Sequence, residues 1–223
     1  MVVPRAAVKV FTEFARTWHV LDPEGMNSYL ELIDYRHRVE AIYTTVRGAE
    51  PSAETWRRWR ESRDQLFATH PQTPIEDAEV FDGLAYFEYD PKWRVIATLD
   101  SSADEETTVG HSGEGATTFR RIGSLRFELD GAEHSLDAMW LDSYGGGLFV
   151  PFRDRTNGDT TYGGGRYILD TVKGADLGRD KGGLVLDFNY SYHPSCVHSP
   201  RWSCPLAPPA NHLDIAIEAG ERL

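Results

Sequence analysis

The densest run of reactive side-chain types lies between Pro151 and Tyr167, with the sequence PFRDRTNGDTTYGGGRY. Arg153, Asp154, Tyr162, Arg166 and Tyr167 gather there around a turn dipeptide, Asn157-Gly158, and three consecutive glycines, Gly163 to Gly165. Glycine costs entropy in a strand and is tolerated where backbone bulges or another group approaches closely. Backbone amides freed at such a bulge, together with arginine, suit a carboxylate or phosphate ligand. With Asp187 and Asn189 added, such a site could hydrolyse an acyl or phospho group, the arginines holding the anion and a carboxylate acting as base. The plainer alternative is that Arg153 or Arg166 pairs with Asp154 to tie a hairpin, while the glycines let two sheets pack. A nucleotide loop is excluded, because the run lacks a Gly-Lys-Ser/Thr ending and does not lead from strand into helix.

A second candidate segment runs from Leu186 to Asn211. A strand ends in Asp187-Phe188-Asn189 and passes into a proline-rich loop that holds His193, Cys196, His198 and Cys204, with His212 nearby. Histidine and cysteine are zinc ligands, and a tetrahedral site takes four such groups. The spacing is not that of a Cys-x-x-Cys ribbon or finger. Two buried structural thiols, a metal site and a loop-closing disulfide are the open readings, in that order. Cys196 as a nucleophile would need His193 or His198 as base and an electropositive, partly exposed setting. Asp154 and Asp187 could form a carboxylate pair, with roles set by a separation that sequence does not disclose. His19, His37, His70, His111 and His134 stand alone and carry no assigned role.

The elements that must position these residues fall into two regions. Up to about residue 75 the apolar period is helical. Val8, Phe11, Phe14, Ala15 and Trp18 mark one short helix. A second starts after Asp22-Pro23, carries the stripe Met26, Tyr29, Leu30, Ile33, Val39, Ile42, Tyr43 and Val46, and ends at Gly48. Pro51-Ser52 opens a third, with Trp56, Trp59, Arg63, Leu66 and Phe67 on one side, and His70-Pro71 closes it. Both tryptophans read as core. From about Val80 the period becomes two. Leu84 to Tyr89, Trp93 to Leu99, Ile122 to Leu129, His134 to Leu141, Leu148 to Phe152, Arg166 to Leu169, Leu184 to Phe188 and Leu213 to Ile217 read as strands. Asp130-Gly131 suits a tight primed hairpin turn, and residues 100–115 read as a solvated loop or hairpin tip. No amphipathic helices separate the strands. The expectation is one α+β domain over 1–223: N-terminal helices over 1–75, then an antiparallel β-sandwich or barrel-like core over 76–223.

Composition narrows the partners. There are 35 Asp and Glu against 23 Lys and Arg, for a formal charge of −12. Only Lys9, Lys92, Lys173 and Lys181 are lysine, against nineteen arginines. A carboxylate-rich, lysine-poor chain is what molar salt favours, because carboxylates hold water and cations while salt screens their repulsion. Without a basic cluster, general nucleic-acid binding is not expected. No run approaches the roughly twenty apolar residues of a membrane span, and the first residues show no signal-peptide pattern. Two cysteines do not make a secreted disulfide scaffold, so a reducing, cytoplasmic setting is expected.

The run Phe152-Arg-Asp-x-Thr-x-Gly-x-x-Thr-Tyr-Gly-x-Gly-Arg-Tyr167, with Leu186-Asp-Phe-Asn189, Pro194-x-Cys196 and Cys204-Pro-Leu206, resembles the family catalogued as domain of unknown function 1684. The upstream pattern Arg63-Asp-x-x-Phe67, His70-Pro-x-x-Pro74 and Phe81-x-Gly-Leu84 is similar to that family as well. The resemblance implies an α+β protein of bacteria and archaea with no established activity. Its signature falls on Arg153, Asp154, Thr156, Tyr162, Gly163, Gly165, Arg166, Tyr167, Asp187, Asn189, Cys196 and Cys204, without a catalytic role for any of them. His193 and His198 depart from the pattern, which carries other polar residues there, often Asn, so a family-wide His/Cys metal site is not implied. These twelve positions are the expected lining of a small-ligand site, with an anion as the expected ligand. The alternatives are a non-catalytic binding module and a metal-stabilised structural domain.

Overall fold

The computed structural model describes residues 23–77, 79–101 and 104–223. The helix expected over Val8 to Trp18 lies outside the described residues. Pro23–Arg47 forms α1 and Ala53–Thr69 forms α2. The Ser52 hydroxyl oxygen caps α2 by accepting the Thr55 N–H at 3.1 Å, which satisfies one of the free amides at the helix start. At the other end His70 turns extended ahead of Pro71, which bars another helical turn. The α1 stripe is divided. Val39, Ile42, Tyr43 and Val46 pack into the helix-side core with Trp56, Trp59, Leu66 and Phe67, whereas Tyr29, Leu30 and Ile33 are exposed. With 25 residues against 17, the first turns of α1 extend beyond the end of α2. Among the described residues no helix is long and apolar enough to cross a membrane.

Among the described residues eight strands follow: β1 (Arg94–Asp100), β2 (Glu105–Gly110), β3 (Ala116–Leu129), β4 (Ala132–Trp140), β5 (Leu148–Phe152), β6 (Arg166–Asp170), β7 (Arg179–Asp180) and β8 (Gly183–Asp187). They form one antiparallel sheet in the order β6-β5-β4-β3-β1-β8-β7, with β2 added on β3. The sheet curls into a half-barrel, and β3 carries the bend. One edge of β3 pairs with β2 over residues 116–121 and with β1 over residues 124–126. Gly123 sits at the change, at a bulge, with φ +144°; a Cβ there would lie 2.1 Å from the Asp100 carbonyl oxygen. Asp130 and Gly131 both take positive φ, 51° and 76°, as a primed two-residue turn requires. The concave core holds Leu125, Phe127, Leu136, Val150, Phe152, Leu186 and Phe188, closed by Leu213 and Ile217.

Three strand-level expectations change. Residues 105–110, read as loop, form β2. Leu84 to Tyr89 joins no ladder and makes a single bridge, Tyr86 to Glu221. Leu213 to Ile217 is not a strand either. Leu84 to Tyr89 instead meets residues 220–222 at isolated points, Phe87 N–H to Gly220 O at 3.0 Å and Arg222 N–H to Ala85 O at 3.0 Å. Leu213 to Ile217 meets residues 153–155 in the same way, Leu213 N–H to Arg153 O at 2.8 Å and Arg155 N–H to Ile215 O at 2.9 Å. Gly220, at one of those points, takes φ +75°, which breaks the extended line a ladder needs.

Candidate functional site

An irregular segment crossing a core leaves carbonyl oxygens that no neighbouring strand satisfies. Arg166 serves that need. Its Nη2 donates to the Asp154 carboxylate at 2.9 Å and to Ile217 O at 2.8 Å, and its Nη1 donates to the carbonyls of Ala219 and Glu221. Both side chains of the Arg166–Asp154 pair are fully buried. Asp154 also accepts from the Thr156 amide at 2.8 Å and hydroxyl at 2.6 Å. Burial pushes the Arg166 pKa down and the Asp154 charge opposes that shift. Gly165, at φ +97°, brings its α-carbon so near β5 that a Cβ would sit 2.5 Å from Phe152 O. Gly163 is exposed. Arg153 is half-buried, and its backbone pairs with Asn211 O at 2.7 Å and the Leu213 amide at 2.8 Å.

Asp187 and Asn189 form a second tie. Asn189 Nδ2 donates to Asp187 Oδ1 at 2.8 Å and to Asp90 O at 2.9 Å, and its own carbonyl accepts the Trp56 indole N–H at 2.9 Å. This pair therefore links α2, the lead into β1 and the end of β8. Burial pushes the Asp187 carboxyl up to about 6, against its hydrogen bonds from Asn189.

Cys196 is half-buried and Cys204 buried, and both are free thiols beside Tyr162. Burial pushes the Cys204 thiol up to about 11, which is opposite to what a reactive thiolate needs. Tyr167 donates its hydroxyl to Pro205 O. Among the described residues, no three His, Cys, Asp or Glu side chains converge to hold a metal ion. The histidines of the loop turn instead toward a carboxylate.

That carboxylate is Glu221, 1% exposed. Its Oε2 accepts Arg63 Nη1 and Nη2, each at 3.0 Å, and the His193 amide at 3.2 Å. Oε1 lies 3.5 Å from His193 Nδ1 and 3.1 Å from His198 Nε2. His193 Nε2 accepts the Tyr162 N–H at 3.2 Å, so its ring proton is on Nδ1 and faces Glu221. His198 Nε2 and Glu221 Oε1 are close but misaligned, and neither has another hydrogen-bond partner among the described residues. Burial alone would raise the Glu221 pKa; Arg63 and the two histidines override it and hold the carboxyl well below its usual range. Arg63 itself is enclosed by the rings of Trp59, Phe67 and Tyr192.

Above this cluster, between the helix pair and the loop over residues 192–202, lies a cavity of about 240 Å³. Leu32, Val39, Ile42, Leu66, Phe67 and Trp202 give it apolar walls. Arg36, Arg63, Lys173, His193 and His198 supply its charged and titratable groups. None of the twelve positions expected to line a ligand site is on its wall. The structure brings eight of those twelve together in three separate sets: Asp154, Thr156 and Arg166; Asp187 and Asn189; Tyr162, Cys196 and Cys204. Arg153, Gly163, Gly165 and Tyr167 belong to none of the three. Sequence reasoning missed Glu221. It did contain one signal, Arg63 at an apolar-stripe position, because a buried guanidinium requires a partner.

The fold has a solved counterpart. The chain is similar to the solution NMR structure of an uncharacterized protein of Haloarcula marismortui, at 38% identity over 76% of this chain and 93% of that one, with a TM-score of 0.55. No curated protein matches it. The profile of the family described as Protein of unknown function (DUF1684) matches residues 79–222, which takes in all eight strands and Glu221 but neither α1 nor α2. Motif by motif and strand by strand, the chain belongs to the DUF1684 family.

Proposed function

We propose that this protein binds a small anionic ligand in the cavity between the helix pair and the half-barrel. One observation carries the reading. Among the described residues the cavity wall holds Arg36, Arg63 and Lys173 with two histidines and no carboxylate, in a chain with 35 acidic residues against 23 basic ones. A concave, mostly apolar pocket with a few convergent polar groups is the usual form of a small-molecule site. The Arg166–Asp154 and Asp187–Asn189 ties then act from behind, fixing the segments that carry Glu221 and the histidine loop.

A ligand-observed NMR screen of small acids, amines and neutral compounds tests this. Acids are expected to bind selectively, and Val39→Trp, which fills the cavity from a half-buried wall position, should abolish their binding. Acid binding that persists in Val39→Trp ends the reading. The 3.1 Å approach of His198 to Glu221 favours a second reading, in which the site also hydrolyses its ligand. A histidine on the wall of a ligand cavity, with a carboxylate close behind it, is the residue type that general-base hydrolysis uses. Turnover of 4-nitrophenyl butyrate or phosphate that is lost in His198→Asn supports it, and turnover unchanged in that variant removes it.

A further inference from the structure

We infer that the anion is the head of an amphiphile: a monocarboxylate with an apolar body, the body in the cavity and the carboxylate at its rim on Arg36. This rests on the anion-binding reading above and goes beyond it in fixing the ligand's class and orientation.

The first argument is where the positive charge is still uncommitted. Arg63 gives both terminal nitrogens to Glu221 and one also to Tyr86. Lys173 pairs with Asp170 at 3.2 Å. Gln72 Nε2 donates to Ser28 at 3.3 Å and to Glu31 at 3.1 Å. The carboxylates standing just behind the wall, Glu31, Asp170 and Glu221, therefore each hold one of its donors. Arg36 differs. It lines the cavity, is exposed, and makes no hydrogen bond or ion pair with the described residues. A guanidinium presents a planar fork that matches a carboxylate in two parallel hydrogen bonds. The anion consequently sits at the rim, and its charge is small, because a polyphosphate would need several uncommitted cations.

The second argument is the wall below Arg36. Leu32, Val39, Ile42, Leu66 and Phe67 offer contact area and no side-chain hydrogen bonds, so a ligand body polar along its length would lose water there without replacement. Trp202 Nε1 and the Tyr192 hydroxyl, unpartnered among the described residues, can serve at most an isolated polar atom. An apolar body gains from the same transfer. The third argument is size. A cavity of about 150 Å³ holds benzene, and this one is about 240 Å³. A chain of medium length or a ring with a short linker fits that space; a bare acetate would leave most of it empty.

Isothermal titration of the full chain with octanoate, octanol and octyltrimethylammonium at one fixed KCl concentration tests the inference. Octanoate is expected to bind with octanol about tenfold weaker, the difference worth one charge-assisted hydrogen bond, and the cation is expected not to bind. Arg36→Gln, at an exposed position, should reduce octanoate to the affinity of octanol and leave octanol unchanged. Equal binding of octanoate and octanol in the wild type, or octanoate binding unaffected by Arg36→Gln, overturns the inference while the anion cavity stands. Small hydrophilic acids that bind and are displaced by Val39→Trp, with no octanoate binding, overturn it alone as well. Acids that bind equally well to Val39→Trp remove the cavity and the inference together.

Discussion

Replacing Glu221 by leucine isolates the charge that Arg63 would then carry alone. Arg63 is 7% exposed, its two terminal nitrogens both reach Glu221 at 3.0 Å, and the His193 amide loses its acceptor in the same step. Removing one member of a buried pair costs about 3–5 kcal/mol, chiefly because the other charge stays desolvated. For a domain of this size each kcal/mol corresponds to roughly 2–4 °C, so a fall in melting temperature of about 6–20 °C is expected. Arg63→Met alone should cost less, since a buried Glu221 can still draw on the two histidines. The double variant replaces the pair by apolar side chains of similar length and should recover most of the loss, as buried pairs exchanged whole often do. Urea unfolding followed by tryptophan fluorescence reads this directly, because Trp59 packs against the Arg63 guanidinium. A double-mutant cycle should return a coupling of at least about 2 kcal/mol. If Glu221→Leu stays within about 1 kcal/mol of wild type, or the two single effects simply add, the pair does not hold the helices to the half-barrel and the reasoning fails.

Further outcomes follow from other buried features. The Asp187 carboxyl sits at about 6 in the folded chain against roughly 3.9 unfolded. The folded state thus holds the extra proton between those values, and ionisation of Asp187 costs stability as pH rises through 6. Asp187→Asn should remove that cost, up to about 3 kcal/mol at pH 8 with little effect below pH 4; stability curves that run parallel from pH 4 to 8 would refute it. Gly165→Ala forces a side chain onto φ +97° and within 2.5 Å of Phe152 O, so a loss of about 2 kcal/mol or more is expected by chemical denaturation, and a variant as stable as wild type would show that β5 and β6 yield freely. Finally, the acidic, lysine-poor composition predicts a melting temperature that falls as KCl is lowered from molar concentration; a scan unchanged in dilute buffer would remove the salt argument.

Local signals carried much of the architecture. Ser52, His70-Pro71 and Asp130-Gly131 each act within a few residues, and each stands where its chemistry predicts. The switch of apolar period near Val80 falls between the last helix, ending at Thr69, and the first strand, beginning at Arg94, for the same reason. What alternation cannot disclose is whether a strand-like stretch finds a neighbour. Leu84 to Tyr89 and Leu213 to Ile217 have the right pattern, yet each meets its neighbour, residues 220–222 and 153–155 respectively, only at isolated points. The candidate site was harder still. Arg166, Asp154 and Asn189 have the residue types of a ligand site, and a buried irregular backbone asks for those same types: a forked donor, a carboxylate and an amide. Sequence does not distinguish the two demands. Glu221 had no local mark at all, because its role arises from an arginine 158 residues away.

That separation also has a consequence for how the chain is made. At about 5–20 residues per second, synthesis would leave α2 outside the ribosome for roughly ten to thirty seconds before residue 221 follows. During that interval the Trp59 and Phe67 face has no half-barrel to cover it, and Arg63 has no counterion. A nascent chain in this state exposes an apolar face and a bare charge until the half-barrel closes over them.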